Sequence, residues 1–301
     1  MPFASVIICT YNRQDRLILA LEGVFPQILA QDAELIVVNN NSTDDTEKVL
    51  QAFVSKADSP QKIITHRENK QGLSHARNTG ISLSSGQIII FLDDDAIPAP
   101  TWLAACLSFF RDNPTAAAAG GAVHPIFETS PPPWLEPRYR GLYSILEQGE
   151  NDYDFPYPHY PYGANMAFNR AVVGTPYFDP ALGRMGSNLI SGEETKLFLD
   201  MHAKQQRIAY LGAMQVDHFV AASRLTKTWL LQRFYDAGRS EMRILTGYPK
   251  IRIVVRHIAK LGLDMARWCK APFTERATTR VRTTAAFLQG CWQEFVGKAK
   301  S

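Results

Sequence analysis

The chain of 301 residues is 46% hydrophobic and 20% charged, with a formal net charge of +3. That composition excludes wholesale disorder, and the length allows one large domain or a domain with an appendage. Four widely spaced cysteines without a CxxC pair exclude a zinc ribbon or a disulfide framework and fit a reducing compartment.

The N-terminus, MPFASVIICTYNR, has no basic region ahead of its apolar run, which argues against a secretory signal. Ser5 to Thr10 reads as a buried strand in which Cys9 is a small core residue, and Arg16 to Leu29 has a helical pattern. Glu34 to Val38 is a second strand. It ends in the polar cluster Asn39 to Asp44, which supplies a turn and an N-cap for a helix over Asp45 to Ser55. Lys62 to His66 reads as a third strand, Leu73 to Ser84 as a helix, and Gln87 to Leu92 as a fourth strand. Short apolar strands alternating with helices predict an α/β domain, its mainly parallel sheet flanked by helices. Ligands of such sheets bind beyond the carboxyl ends of the strands. The clusters Thr10 to Arg13, Asn39 to Asp44 and Asp93 to Asp95 all fall at that position.

Asp93, Asp94 and Asp95 follow the fourth strand directly. Carboxylates so close repel one another and raise each other's pKa unless a cation neutralises them, and oxygen ligands suit Mg²⁺ or Mn²⁺. The alternative reading is an acidic loop capping the next helix. No GxGxxG follows the first strand and no GxxxxGK[ST] occurs, so neither a dinucleotide fold nor a P-loop is indicated.

Residues 124–165 are rich in proline and aromatics, as in Pro131 to Trp134 and Asp152 to Tyr162. Such a loop either walls a flat polyhydroxylated ligand or packs on its own domain. Ala164 to Phe168 reads as another strand. Glu193 and Glu194 then precede a helical pattern from Lys196 to His202, and Val216 to Val220 is a last strand bearing His218. Beyond it the charge changes sign. Residues 1–223 carry 16 basic and 24 acidic side chains, whereas residues 224–301 carry 16 and 5. Thr226 to Arg243 and Lys250 to Lys270 have helical patterns. In the second, Ile251, Val254, Val255, Ile258, Leu261 and Met265 form a rough stripe among Arg252, Arg256, Lys260 and Arg267. Such a helix either lies in an anionic membrane surface or packs on the protein with its basic face in water. Nucleic acid is a weaker partner, because no recognition module accompanies the basic residues. No run reaches the ~18 apolar residues of a membrane span, so the expected location is cytoplasmic, with peripheral contact at the inner face of the membrane.

The motifs SVIICTYNR, VVNNNSTDDT, GLSHARNTGI, FLDDDAIPAPTWL, YGANMAF, SGEETKLF and VDHFVAASRLT, in this order over about residues 3–238, resemble the family 2 glycosyltransferases of the GT-A fold. The resemblance implies a nucleotide-sugar-binding and catalytic domain over 1–223 and a basic helical extension over 224–301. It implies metal-assisted transfer of a sugar, with inversion, from a UDP-linked or related donor to the hydroxyl of a glycan or lipid-linked glycan in polysaccharide or glycoconjugate synthesis. By the same resemblance Asp95, Asp93 and His218 hold Mn²⁺ or Mg²⁺. Asp93 and Asp94 also lie at the donor with Thr10, Tyr11, Arg13, Asn39, Arg77, Asn78 and Arg224. Glu194 is the candidate base, with Glu193 as its substitute, although Glu stands where the family more often has Asp. Asn39 likewise replaces an aspartate of uridine-binding relatives, which loosens the expectation of UDP. For Arg77 and Asn78 the competing reading is a helix surface tied to neighbouring loops. A non-catalytic glycan- or nucleotide-binding protein on the same scaffold is the alternative function.

Overall fold

The computed structural model describes residues 1–186, 188–244, 250–270 and 274–297, with only the backbone described for 250–253, 270 and 297. The side chains of Ile251 and Arg252, counted in the expected stripe, therefore lie outside the described residues. The chain forms two compact units. One comprises Met1–Ile126, Tyr143–Pro180 and Glu194–Phe219, and the other Phe127–Leu142, Ala181–Glu193 and Val220–Ser301.

In the first unit β1 (Ala4–Thr10), α1 (Leu17–Ala30), β2 (Ala33–Asn39), α2 (Thr46–Lys56), β3 (Ile63–Arg67), α3 (Leu73–Leu83) and β4 (Ile88–Leu92) alternate as expected, with ends shifted by a residue or so. β1 pairs in parallel with both β2 and β4, and β2 in parallel with β3. β4 is buried along its whole length and β1 and β2 nearly so, because helices cover both faces and leave no position for a polar alternation. Asp44 Oδ1 accepts from the Thr46 backbone N–H at 3.0 Å, so Asp44 satisfies the first turn of α2.

The sheet continues beyond β4 through β5 (Ala96–Pro98), α4 (Trp102–Asp112), β6 (Ala118–Phe127), β7 (Tyr153–Asp154), β8 (Asn165–Asn169), α5 (Arg170–Val173), α6 (Glu193–Ala203) and β9 (Ile208–Val220). Its order is β3-β2-β1-β4-β8-β6-β9-β5, with β7 also on β9. The parallel part is thus confined to β3-β2-β1-β4, while β8 runs antiparallel to both β4 and β6. β6 carries no strand signal in its Ala-Gly sequence. Asn165 is buried at the start of β8 and fixes this half of the sheet. Its Oδ1 accepts from Trp102 Nε1 at 2.8 Å, and its Nδ2 donates to the carbonyls of Ala122 and Met214 at 3.1 and 2.7 Å. Two other elements correct the reading of the sequence: β9 extends eight residues further toward the N-terminus than expected, and α6 begins at Glu193, which puts both glutamates in its first turn.

The second unit contains α7 (Lys227–Ile244), α8 (Lys250–Lys270) and α9 (Glu275–Gly297). The sequence reading misses α9, whose buried face is built from Ala277, Thr279, Thr283 and Thr284, Phe287 and Cys291 rather than from a stripe of large aliphatics. α7 and α9 approach so closely that a Cβ on Gly238 would lie 2.1 Å from the Phe287 carbonyl oxygen, and one on Gly290 would lie 1.9 Å from that of Tyr235.

Candidate active site

The parallel register brings the ends of β1, β2 and β4 to one edge of the sheet, and the three polar clusters lie there side by side. Asn12 and Asn41 turn their loops with φ of 52° and 61°, in the left-handed region that Asn tolerates better than most residues. The loops are sewn together: Thr43 N–H donates to Asn12 Oδ1 at 2.8 Å and Asn12 N–H to Ser42 Oγ at 3.0 Å.

Beyond β4, the backbone of Asp95 accepts from Phe219 N–H at 2.9 Å, and β5 pairs with β9 so that Ala96 stands opposite His218. This antiparallel return, not the parallel half of the sheet, brings His218 to the aspartates. Asp93, Asp95 and His218 each offer one ligand atom, all within 4.8 Å of one another. His218 is 2% exposed, its Nε2 lies 3.1 Å from Asp95 Oδ1, and its Nδ1 is buried with no hydrogen-bond partner. Two carboxylates and an imidazole form a donor set that accepts Mn²⁺ readily, with Mg²⁺ the less natural fit because it favours oxygen alone. Asp94 turns elsewhere. It is 8% exposed and faces Arg13, whose Nε lies 3.6 Å from Asp94 Oδ1 and whose Nη2 lies 3.5 Å from Asp95 Oδ2. Burial, and then the charge of Asp95, push Asp94 up to about 7. The resemblance places Arg13 at the donor; the fold also sets it against the carboxylates, a pairing that spacing alone does not reveal.

Arg77, on α3, is 3% exposed and spans two parts of the site. Its Nη2 lies 3.8 Å from Asp93 Oδ1 and its Nη1 lies 4.0 Å from Glu194 Oε2. The rings of Phe91 and Phe178 hold it at 5.6 and 5.2 Å, and Gly163 leaves it room, since a Cβ there would stand 2.5 Å from Nη2. Glu194 therefore sits one guanidinium away from Asp93. Tyr162 also faces Glu194: burial first, and the Glu194 charge second, raise its phenol. Next to it Tyr160 donates to Thr195 Oγ1 at 2.9 Å. Tyr162 is a site residue that sequence reasoning passed over, noted only as one aromatic of the loop.

The remaining candidates fall in different places. Tyr11 is 37% exposed at the end of β1, and Thr10 is buried with its side chain beside Asp94. Asn39 is fully buried; its Oδ1 accepts from Ser42 N–H at 3.0 Å and its Nδ2 donates to Glu47 at 2.5 Å. Asn78 closes a two-way bond with the backbone of Phe178 at 2.8 and 2.9 Å, tying α3 to a neighbouring loop. Glu193 is 3% exposed at the first position of α6. Arg224 belongs to the second unit, where its guanidinium covers the ring of Trp229 at 5.4 Å. The aromatic loop packs on its own domain and also borders a cleft. Tyr153 stacks on Tyr210 at 4.8 Å and Tyr160 on Phe198 at 5.5 Å, while Tyr153, Phe155, His159, Tyr160 and Tyr162 line a cleft of about 420 Å³.

The family model for glycosyl transferase family 2 matches residues 5–175, more than half of the chain. The chain belongs to glycosyl transferase family 2. This glycosyltransferase is 25% identical over 252 residues to the glucosyl-dolichyl phosphate glucuronosyltransferase of Haloferax volcanii, covering 82% of this chain and 78% of that protein. A stretch of 95 residues, 32% of this chain and 30% of the relative, is 40% identical to the GalNAc(5)-diNAcBac-PP-undecaprenol beta-1,3-glucosyltransferase of Campylobacter jejuni. Among solved structures, a mannosyltransferase from Pyrobaculum calidifontis in complex with GDP-Man and Mn²⁺ superposes with a TM-score of 0.61 at 17% identity. The match covers 99% of this chain and 88% of that one, and establishes the GT-A glycosyltransferase fold.

Proposed function

We propose that this glycosyltransferase moves a sugar, with inversion, from a nucleotide-sugar donor to a hydroxyl of a glycan or lipid-linked glycan, in polysaccharide or glycoconjugate synthesis. The observation that carries the reading is Arg77 lying between Asp93 and Glu194, which sets a carboxylate base beside a diphosphate-binding edge. Asp93, Asp95 and His218 would hold a divalent cation, Mn²⁺ by preference, which when bound stabilises the charge developing on the departing diphosphate. Tyr11 offers an exposed ring on which the base can stack, and a UDP-sugar is the donor to test first. Glu194 takes the proton of the attacking hydroxyl, with Glu193 next to it in α6; Arg77 helps orient Glu194 as the hydroxyl approaches. Residues 1–223 supply this chemistry and residues 224–301 extend it.

The cleft of Tyr153, Phe155, Tyr160 and Tyr162 holds the acceptor, because sugar C–H faces stack on aromatic rings and Tyr160 adjoins Thr195, the neighbour of Glu194. The lipid-linked class of acceptor is favoured by the likeness to the Haloferax and Campylobacter enzymes. A panel of nucleotide-sugars with and without Mn²⁺, read by thermal shift, tests the donor site, since a ligand of the native state raises its apparent stability. One donor should stand out, and only with the metal. A flat panel, or a shift that survives Asp95→Ala unchanged, would refute the assignment.

A further inference from the structure

α8 is built inside out. A helix on a globular domain ordinarily buries its apolar stripe and turns its charges to water. The side of α8 turned toward its own unit instead carries Asp264, 1% exposed, which accepts from Thr284 Oγ1 at 2.9 Å and lies 3.9 Å from Arg138. About two turns earlier, the His257 ring stacks on Phe287 at 4.0 Å, and Lys260, partly buried between them, has its pKa lowered by that burial. The side left outside is apolar. Val255, Ile258, Leu263 and Met265 are exposed by 57, 56, 61 and 51%, with Gly262 and Ala266 exposed among them. At 3.6 residues per turn these positions share one arc of about 160°, and no charged residue between Val255 and Cys269 interrupts it. Arg256 and Arg267 stand on one rim of the arc, with side chains 71 and 60% exposed. The sequence stripe had grouped Val254 and Leu261 with Val255 and Ile258; the fold separates them and leaves the second pair outside.

We propose that the exposed face of α8 lies in the surface of an anionic bilayer, its apolar arc at the boundary of the acyl chains and Arg256 and Arg267 at the lipid phosphates. Continuous apolar area beside a basic rim is the pattern of a helix that rests on a leaflet. No helix among the described residues is long and apolar enough to cross a membrane, so α8 lies on the bilayer and does not span it. A second copy of the chain is the poorer occupant, because α8 carries six basic residues against one acidic and would meet its own charge. The inference stands independently of the donor and of the role of Glu194.

The full chain should co-sediment with vesicles of phosphatidylcholine and phosphatidylglycerol, and much less with phosphatidylcholine alone, with binding weakened by salt. Ile258→Asp with Met265→Asp, both at exposed positions, should lower that binding at least ~20-fold while leaving circular dichroism and transfer to a water-soluble acceptor unchanged. Arg256→Gln with Arg267→Gln should lower it about 30-fold, about fivefold for each basic residue lost from the surface of an anionic leaflet. Failure of the wild type to bind anionic vesicles at low salt would overturn the proposal. So would equal binding by the Ile258/Met265 variant, or a wild-type dimer that this variant dissociates without any vesicle binding.

Discussion

The two units bury their carboxylates under opposite rules. In the helical unit several acids are closely paired with neighbouring donors: Asp236 receives Arg239 at 3.2 Å and Gln232 at 2.8 Å, Glu294 takes a two-pronged contact from Arg243 at 3.0 and 3.1 Å, and Glu136 is gripped by Arg280. In the sheet unit three successive aspartates crowd one strand end. Among their partners are Arg13, which serves two of them, and Arg77, shared with Glu194. The first arrangement neutralises charge locally and stabilises the fold. The second crowds carboxylates together, and a bound cation would relieve their repulsion. The paired carboxylates Asp236, Glu294 and Glu136 of the helical unit should therefore cost stability when removed, and those of the sheet edge should cost activity.

Four substitutions probe that contrast. Glu194→Gln should lower kcat by at least ~10³-fold, within the range seen when a general base is lost, with an unchanged melting temperature. A comparable loss of stability would erase the distinction between the units. Asp236→Ala should do the reverse. Stripping one partner from a buried charge pair destabilises by about 3 kcal/mol, visible as a melting temperature several degrees lower, while kcat at a permissive temperature stays near normal. Arg77→Met belongs to the sheet edge and should lower kcat about 100-fold, because the base and Asp93 lose the cation they share; steady-state kinetics would show whether KM follows.

Glu241→Gln is the smallest effect and carries a sign in pH. Burial raises Glu241, against a lesser opposing pull from Arg256. A carboxyl whose folded pKa exceeds its unfolded value favours the native state most below the unfolded pKa, and that advantage is lost as pH rises through the folded value. The variant should thus gain on the wild type as pH climbs from about 4 toward neutrality. The gain should be on the order of 0.5 kcal/mol, since the site is only partly shielded. Thermal melts at several pH values would decide it, and a gain on the acid side would reverse the reading of the helical unit.

How much the sequence could say follows from the range of the interactions involved. The strands of the parallel half are legible because LIVV and IIIFL are apolar without interruption, the mark of strands covered on both faces. The aspartates are legible because they are neighbours in the chain. β6 is not, because Ala and Gly owe their place in the sheet to the strands beside them, and α9 is not, because its buried face uses Thr and Gly for close approach to α7. Of the site, Asp93 and Asp95 announce themselves, whereas the nearness of Tyr162 to Glu194 and the double duty of Arg77 arise between residues far apart in the chain.

The sequence by itself determined the alternating α/β frame, the edge where the polar clusters gather, the family, and a C-terminal third rich in basic charge. Those are properties of local pattern and order along the chain. Tertiary structure alone decided that His218 meets Asp95 through an antiparallel return, that Arg77 joins Asp93 to Glu194, and that α8 turns its apolar side outward. Each depends on which face of an element its neighbours cover. Periodicity records that a helix has two faces, but packing chooses which one meets water.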